Sequence, residues 1–316
     1  MKRFLLRRLA LAFVTLIIMS VLVFALTQVL PGDLGRNVLG NLASPEDVAA
    51  FNHEHGLDKP VIEQYLNWVS NILHGDLGES VQYQVSVKSL LIPSLKNSLK
   101  LAALAFALVV PLSLIGVTIA ALRRGRATDR AITLAGLSLT AVPEFVTGIV
   151  LIVVFGITLE WLPVSATPPD DYAFRTMIKH LLLPALALVC VLFGYIARIV
   201  RAGVIESLDA DYTRTARLKG VRPTTVLTRH VLRNALLPTI AVVATQTGYL
   251  IGGLVVIETL FAYDGIGKRI YDAAYNQDVV VLQSGVLIIG TIYLLTTLVA
   301  DLLYSLLNPR IRYGGD

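Results

Sequence analysis

Charged residues are scarce in this chain. Only 16% of its 316 residues are Asp, Glu, Lys or Arg, against 55% from the apolar set. Soluble domains carry about 25% charged residues, and a water-facing surface of this size could not hide so much apolar side chain. The mean hydropathy of +0.70 points the same way, so the composition argues against a soluble enzyme. Cysteine is almost absent: Cys190 stands alone, which excludes an intrachain disulfide framework and a thiolate metal cluster. Catalytic signatures are missing as well, since no HExxH, GxSxG or paired-cysteine motif occurs. The run Asp264-Gly265-Ile266-Gly267-Lys268-Arg269 resembles a phosphate-binding loop only superficially. It lacks the first glycine at the required spacing and the Ser/Thr after the lysine. Acidic residues are outnumbered 22 to 27 by basic ones, a formal charge of +5. That excess raises nucleic acid or anionic lipid as a partner until the charges are placed.

What is abundant is long apolar runs. About 20 such residues cross the hydrocarbon core as a helix. Six runs qualify: Leu9–Leu30, Leu101–Leu122, Ala131–Leu159, Leu181–Ala197, Ala235–Ile257 and Val279–Ala300. The third is interrupted by Glu144. The fourth is barely sufficient unless Arg198 snorkels. The first follows a basic stretch (Lys2, Arg3, Arg7, Arg8) like a secretory signal, but its apolar run is far longer than a signal's, so a retained anchor is expected. The chain is therefore expected to be an all-α polytopic membrane protein of six transmembrane helices. Basic residues precede span one, sit between spans two and three (Arg123, Arg124, Arg126, Arg130), fill the segment from Arg198 to Arg233 and follow span six (Arg310, Arg312). These places share one side and hold 18 of the 27 basic residues, so by the positive-inside rule they are cytoplasmic, with both termini inside. The +5 charge thereby becomes an orientation signal, and no nucleic-acid partner is expected.

The long outer segment, Pro31 to Pro93, reads as two short helices. Ser44 caps the first, with Pro45 at its first position and Glu46 and Asp47 in its first turn; Gly56 stops it. Pro60 starts the second and Gly75 ends it, with Ile62, Tyr65, Leu66, Val69, Ile72 and Leu73 on one stripe that packs on outer segments or meets a partner. His53 and His55 lie two apart, a spacing that diverges on a helix, and read as surface histidines rather than metal ligands. On the inner side, Arg201 to Asn234 is far longer than a turn. Asp209 or Asp211 caps a helix over Tyr212 to Lys219, Gly220 stops it, Pro223 opens a second helix, and Pro238 marks entry into span five. With Arg214, Arg217 and Lys219 but few large apolar residues, the first inner helix fits a docking partner better than a membrane surface. Within the membrane, Glu144 follows Pro143 and has two open readings. It lines a polar pathway or binds a cationic cargo group, or it is a buried carboxyl bonded to a neighbouring helix. Glu258 and Asp301, near span ends, read as hydrated. Gly248 and Gly252 are spaced for helix packing.

The stretch Asp211-Tyr212-Thr213-Arg214-Thr215-Ala216-Arg217-Leu218-Lys219-Gly220, followed by Arg229-His230-Val231-Leu232-Arg233-Asn234-Ala235-Leu236-Leu237-Pro238, resembles the cytoplasmic loop of ATP-binding-cassette importer permeases. The likeness is strongest to their dipeptide/oligopeptide/nickel branch. Gly75-Asp76-Leu77-Gly78-Glu79-Ser80, Trp161-Leu162-Pro163 and Glu258-Thr259-Leu260-Phe261 also resemble that branch. Where the wider family carries Glu-Ala-Ala and then a glycine, this chain has Arg214, Thr215, Ala216 and Gly220. The resemblance implies a type I importer permease fold: helix one over 1–30, a helical extracytoplasmic segment over 31–93, and a core over 94–316 whose cytoplasmic loop, 201–236, couples to an ATPase. It implies a non-catalytic permease subunit in a prokaryotic inner membrane, with no cofactor or metal of its own. ATP and Mg would be held by two partner ATPases, with a second homologous permease subunit, an extracytoplasmic binding protein and membrane lipid completing the system. The implied coupling residues are Asp211, Tyr212, Thr213, Arg214, Thr215, Ala216, Arg217, Lys219 and Gly220, and Pro143 and Glu144 are the pathway candidates. Peptides lead as cargo over nickel, glutathione or another small solute. The other classes are an ion-coupled secondary transporter and a membrane-embedded scaffold or sensor without transport. The former would show two related halves and midplane ion ligands, where this chain has no internal repeat and one midplane acid, Glu144.

Overall fold

Proline, glycine and a few polar caps set where the helices of this chain begin and end. The computed structural model describes residues 2–29, 34–40, 43–54, 56–169 and 173–307. Every named element among them is helical; Glu79 and Ser86 form a lone bridge. The chain divides into two compact units.

One unit comprises residues 2–97 and 265–292. It contains α1 (Lys2–Gln28), α2 (Leu34–Leu39), α3 (Pro45–Glu54), α4 (Val61–Leu73), α12 (Ile266–Tyr275) and the first turns of α5 (Val87–Leu122) and α13 (Val279–Leu307). The entry to α3 is as expected: the Asp47 N–H donates to Ser44 Oγ at 3.1 Å, and Ser44 Oγ donates to Asp47 Oδ2 at 2.6 Å. Gly56 and Gly75 have φ of +66° and +82°, the left-handed geometry that releases a chain from a helix. Val87, Leu91, Ile266, Ala273 and Val281 form a small apolar core.

The other unit comprises residues 98–264 and those from 293 onward. Its spine is α8 (Phe174–Asp209), on which α6 (Ala127–Ala141), α7 (Glu144–Leu151) and α11 (Arg233–Leu260) pack. The crossing of α6 and α8 is glycine on glycine: a methyl added to Gly194 would run into the carbonyl of Gly136. Gly203 meets α11 in the same way, its added methyl lying 3.3 Å from the Ala235 carbonyl oxygen. Close backbone approach through small residues is how helices associate where lipid removes any hydrophobic drive between them.

Four described helical stretches are long and apolar enough to cross a membrane: Leu6–Gln28, Val87–Leu122, Phe174–Asp209 and Val279–Leu303. The run expected as one third span is two helices, Ala127–Ala141 and Glu144–Thr158, bent by 105°. Val142 is held extended (ψ 126°) by the proline that follows it, and Pro143 lies just ahead of α7. The fourth run, short in sequence, belongs to a 36-residue helix that continues through Arg198. The inner helix opened by Pro223 is α-helical only over Pro223–Thr225 (α10), then widens into a π-helical turn, Val226–Leu232, and flows without a break into α11. Pro238 accordingly lies inside α11 rather than at its start. The surroundings of Gly248 and Gly252, along with His55, Arg310 and Arg312, lie outside the described residues.

Candidate coupling site

The residues singled out on the inner loop form α9 (Asp211–Leu218), a helix of eight residues directly after α8. Its start differs from expectation. The N-cap is Ala210, with ψ 148° and no side-chain cap, while Asp209 pairs with Arg124 at 3.3 Å on the exposed surface. What holds the turn is Thr213, fully buried, whose Oγ1 donates to the Ser207 carbonyl at 2.7 Å. That bond ties the first turn of α9 to the last turn of α8. The far end is a Schellman stop: the Gly220 N–H donates to Arg217 O at 3.0 Å and the Val221 N–H to Ala216 O at 3.2 Å, with Gly220 at φ +74°.

This geometry sorts the candidate residues into two sets. Thr213 and Ala216 are buried against their own chain. Asp211, Tyr212, Arg214, Thr215, Arg217, Lys219 and Gly220 are exposed. Leu218 joins them, 80% exposed and apolar, and was absent from the sequence-based set. Its signal was visible as the one large aliphatic residue in an otherwise polar helix.

The same unit holds a buried ion pair between α6 and α8 that no local pattern in the sequence reveals. Arg201 on α8 donates from Nε to Asp129 Oδ1 at 2.9 Å and from Nη2 to Oδ2 at 2.8 Å. Asp129 also accepts from the Gly125 N–H at 2.9 Å. The carboxylate is 4% exposed, and the bidentate fork satisfies both oxygens. The pair fixes the start of α6, and the basic turn before it, to α8 just ahead of the α9 junction.

Pro143 and Glu144 stand on a separate element, at the break between α6 and α7. Glu144 is half-buried in the first turn of α7, where free backbone N–H groups favour an acidic side chain. Two other motif stretches meet in this unit. The Ala166 N–H, just beyond Trp161-Leu162-Pro163, donates to the Phe261 carbonyl at 2.8 Å, and Thr167 Oγ1 to the Ala262 carbonyl at 2.7 Å. Glu258, expected to be hydrated, is fully buried, and Ser98 donates to its Oε1.

In the other unit the Gly75-to-Ser80 stretch is a hydrogen-bonded turn held by Asp278. Ser80 Oγ donates to Asp278 Oδ2 at 2.5 Å, and the other carboxylate oxygen accepts the Val281 N–H at 3.3 Å in the first turn of α13. A recess of about 1340 Å³ in this unit is lined by Asn52, Gln64, Asn67, Trp68, Gln84 and Gln283 among others. His53 Nδ1 lies 2.7 Å from Asp58 Oδ2 on the exposed surface and, as hydrogen-bond donor, holds that carboxyl below its usual range. No cluster of three or more metal-ligating side chains occurs among the described residues.

Long apolar helices, with close small-residue contacts where α6 and α11 pack on α8, define a multi-pass membrane protein. Residues 112–313 match the family described as the binding-protein-dependent transport system inner membrane component, and residues 1–100 match the N-terminal membrane component of the same systems. The chain belongs to this family, as the resemblance of its inner loop implied. It is 36% identical to the di/tripeptide transport system permease protein DppB of Pseudomonas aeruginosa, with 99% of each chain covered. It is likewise 36% identical to a probable peptide ABC transporter permease protein of Sinorhizobium fredii (98% of this chain, 99% of that one) and 34% identical to the dipeptide transport system permease protein DppB of Escherichia coli K12 (99% of each).

Proposed function

We propose that this chain is one of two permease subunits of an ATP-driven peptide importer, spanning the inner membrane six times with both termini in the cytoplasm. On this reading α9 is the coupling helix. It sits in a groove on a cytoplasmic ATPase that holds ATP and Mg, while a second permease subunit completes the pathway and an external binding protein delivers the peptide. Residues 31–93 face outward, and Pro143 and Glu144 line the path at the α6–α7 break. The two sides of α9 carry the proposal. Thr213 and Ala216 anchor the helix to its own chain, leaving Tyr212, Arg214, Arg217, Leu218 and Lys219 for a partner. An apolar knob amid three cations suits an ATPase groove with an apolar floor and an acidic rim. ATP binding draws the two coupling helices together and favours the outward-open state; hydrolysis restores the inward one. The peptide assignment rests on the substrates named for the relatives, all close to full length.

Replacing Leu218 by Ser and Arg214 by Glu tests the docking. The purified complex is expected to lose its ATPase subunits and its uptake of labelled dipeptide, while the permease keeps its melting temperature. Unchanged ATPase retention and uptake would sink the coupling assignment. The cargo class is read separately, from the ligand retained by the binding protein that stimulates the complex's ATP hydrolysis.

A further inference from the structure

The apolar stripe on α4 divides along its length into two edges. Tyr65, Trp68 and Ile72 lie on one edge, half-buried. There the Phe24 ring of α1 packs against Tyr65 and Trp68, at centroid distances of 5.4 and 5.6 Å. Ile62, Leu66 and Leu73 lie on the other edge, exposed at 75%, 59% and 80%, and Val69 bridges the two. Glu63, Asn67, Ser70 and Asn71 occupy the remaining arc, as the 3.6-residue period requires. An apolar edge this exposed in water is a liability.

The depth at which α4 meets α1 identifies what covers this edge. The apolar stretch of α1, Leu6–Gln28, has 23 residues, about 34 Å of helix, against a hydrocarbon core of about 30 Å. Gln28, at its end, makes a polar contact with α4, donating from Nε2 to Gln64 Oε1 at 3.2 Å. Phe24 lies one turn deeper, about 6 Å, and takes the rings of α4. Ser20 lies about 12 Å below Gln28, and its hydroxyl meets the Tyr65 hydroxyl at 2.9 Å. On α1 itself, Leu22 and Leu26 at these same levels are exposed, as lipid-facing side chains are. A helix that rests against a span at this depth cannot stand in bulk water.

We propose that α4 is an interfacial helix, lying at the headgroup–acyl boundary with Ile62, Leu66 and Leu73 inserted among lipid acyl chains. Its polar arc faces water and it is clamped to α1 through Tyr65 and Trp68. Such a helix buries its apolar side about 5–10 Å into the boundary, and an aromatic pair at its inner edge is the usual interfacial anchor. The helix carries no lysine or arginine, so attachment comes from apolar area and does not depend on anionic lipid. The proposal rests on α1 spanning the membrane and holds whichever leaflet receives α4, so it stands or falls apart from the ATPase-coupling reading.

The test uses the assembled transporter in proteoliposomes, in a Cys190→Ser background. Single cysteines replace Ile62, Leu66 and Leu73 on the apolar edge and Glu63, Asn67 and Ser70 on the polar arc. Each is labelled with an environment-sensitive fluorophore. Lipids carrying a doxyl group high on the acyl chain are expected to quench labels at 62, 66 and 73, while aqueous iodide quenches those at 63, 67 and 70. The pattern should be the same in zwitterionic vesicles and in vesicles with added phosphatidylglycerol. Iodide quenching of the 62, 66 and 73 labels would overturn the proposal. So would shielding of those labels from both quenchers, which would mean that a protein surface covers the edge.

Discussion

The helices α8 and α1 are both long and strongly apolar, yet 61% of the most apolar window of α8 is buried within the chain and only 11% of that of α1. The residues at the contacts explain the contrast. Ala185, Ala187, Gly194, Ala197 and Gly203 are buried on α8, which lets neighbouring backbones close on it. Phe13, Leu22 and Leu26 project from α1 and are exposed. In a bilayer, apolarity decides that a helix crosses; small residues decide which helix is the spine.

The sharpest way to break the α8 side is to remove one half of its buried ion pair. Arg201→Met leaves the Asp129 carboxylate buried without its fork and is expected to cost about 3–5 kcal/mol, read as a large drop in the complex's melting temperature. The Asp129→Asn, Arg201→Met double variant should recover part of that loss. Gly194→Ala forces α6 off α8 and is expected to cost about 1–3 kcal/mol, whereas exchanging exposed Leu22 of α1 for Ala should leave the melting temperature nearly unchanged. Next comes Gly220→Ala, which puts a Cβ on a left-handed residue at about 1–2 kcal/mol and should impair peptide-stimulated ATP hydrolysis more than folding. Ala216→Asp is expected to unseat α9 from within, uncoupling transport while membrane insertion continues.

His53→Ala should have the smallest effect. The His53 hydrogen bond lowers the Asp58 pKa from its ordinary 3.8. A depressed carboxylate contributes stability at pH above its unfolded value and loses it as pH falls through the folded one. The variant should therefore melt slightly below the parent at neutral pH, and the two should converge as pH falls below about 4.

Local signals were legible in the sequence. The Ser44 cap, the proline and glycine boundaries of α4, and the extent and stop of α9 all follow from residues within one turn of the feature. The bend after Val142 was half visible, because Pro143 announces a break but not a 105° turn. What stayed hidden depends on partners distant in the chain. Asp129 and Arg201 are 72 residues apart, and Ser80 and Asp278 are 198 apart. Nothing in the pattern around either member names the other. Glu258 looked like an interfacial acid because its burial depends on Ser98, 160 residues away. Apolar periodicity was silent about which faces meet lipid and which meet protein, since both surroundings are apolar.

The Schellman stop after α9 has a mechanical consequence. Lys219, Gly220 and Val221 all donate their backbone N–H groups back into α9, and the Val226 N–H closes onto Arg222. The four residues between α9 and α10 are thus a stiff elbow rather than a slack tether, and past them a continuous helical rod runs from Pro223 to Leu260. With α8 rigid on the other side, α9 is the throw of a crank. On the coupling reading proposed above, a force applied to α9 would reach two long helices at once, with little stroke lost in the joint.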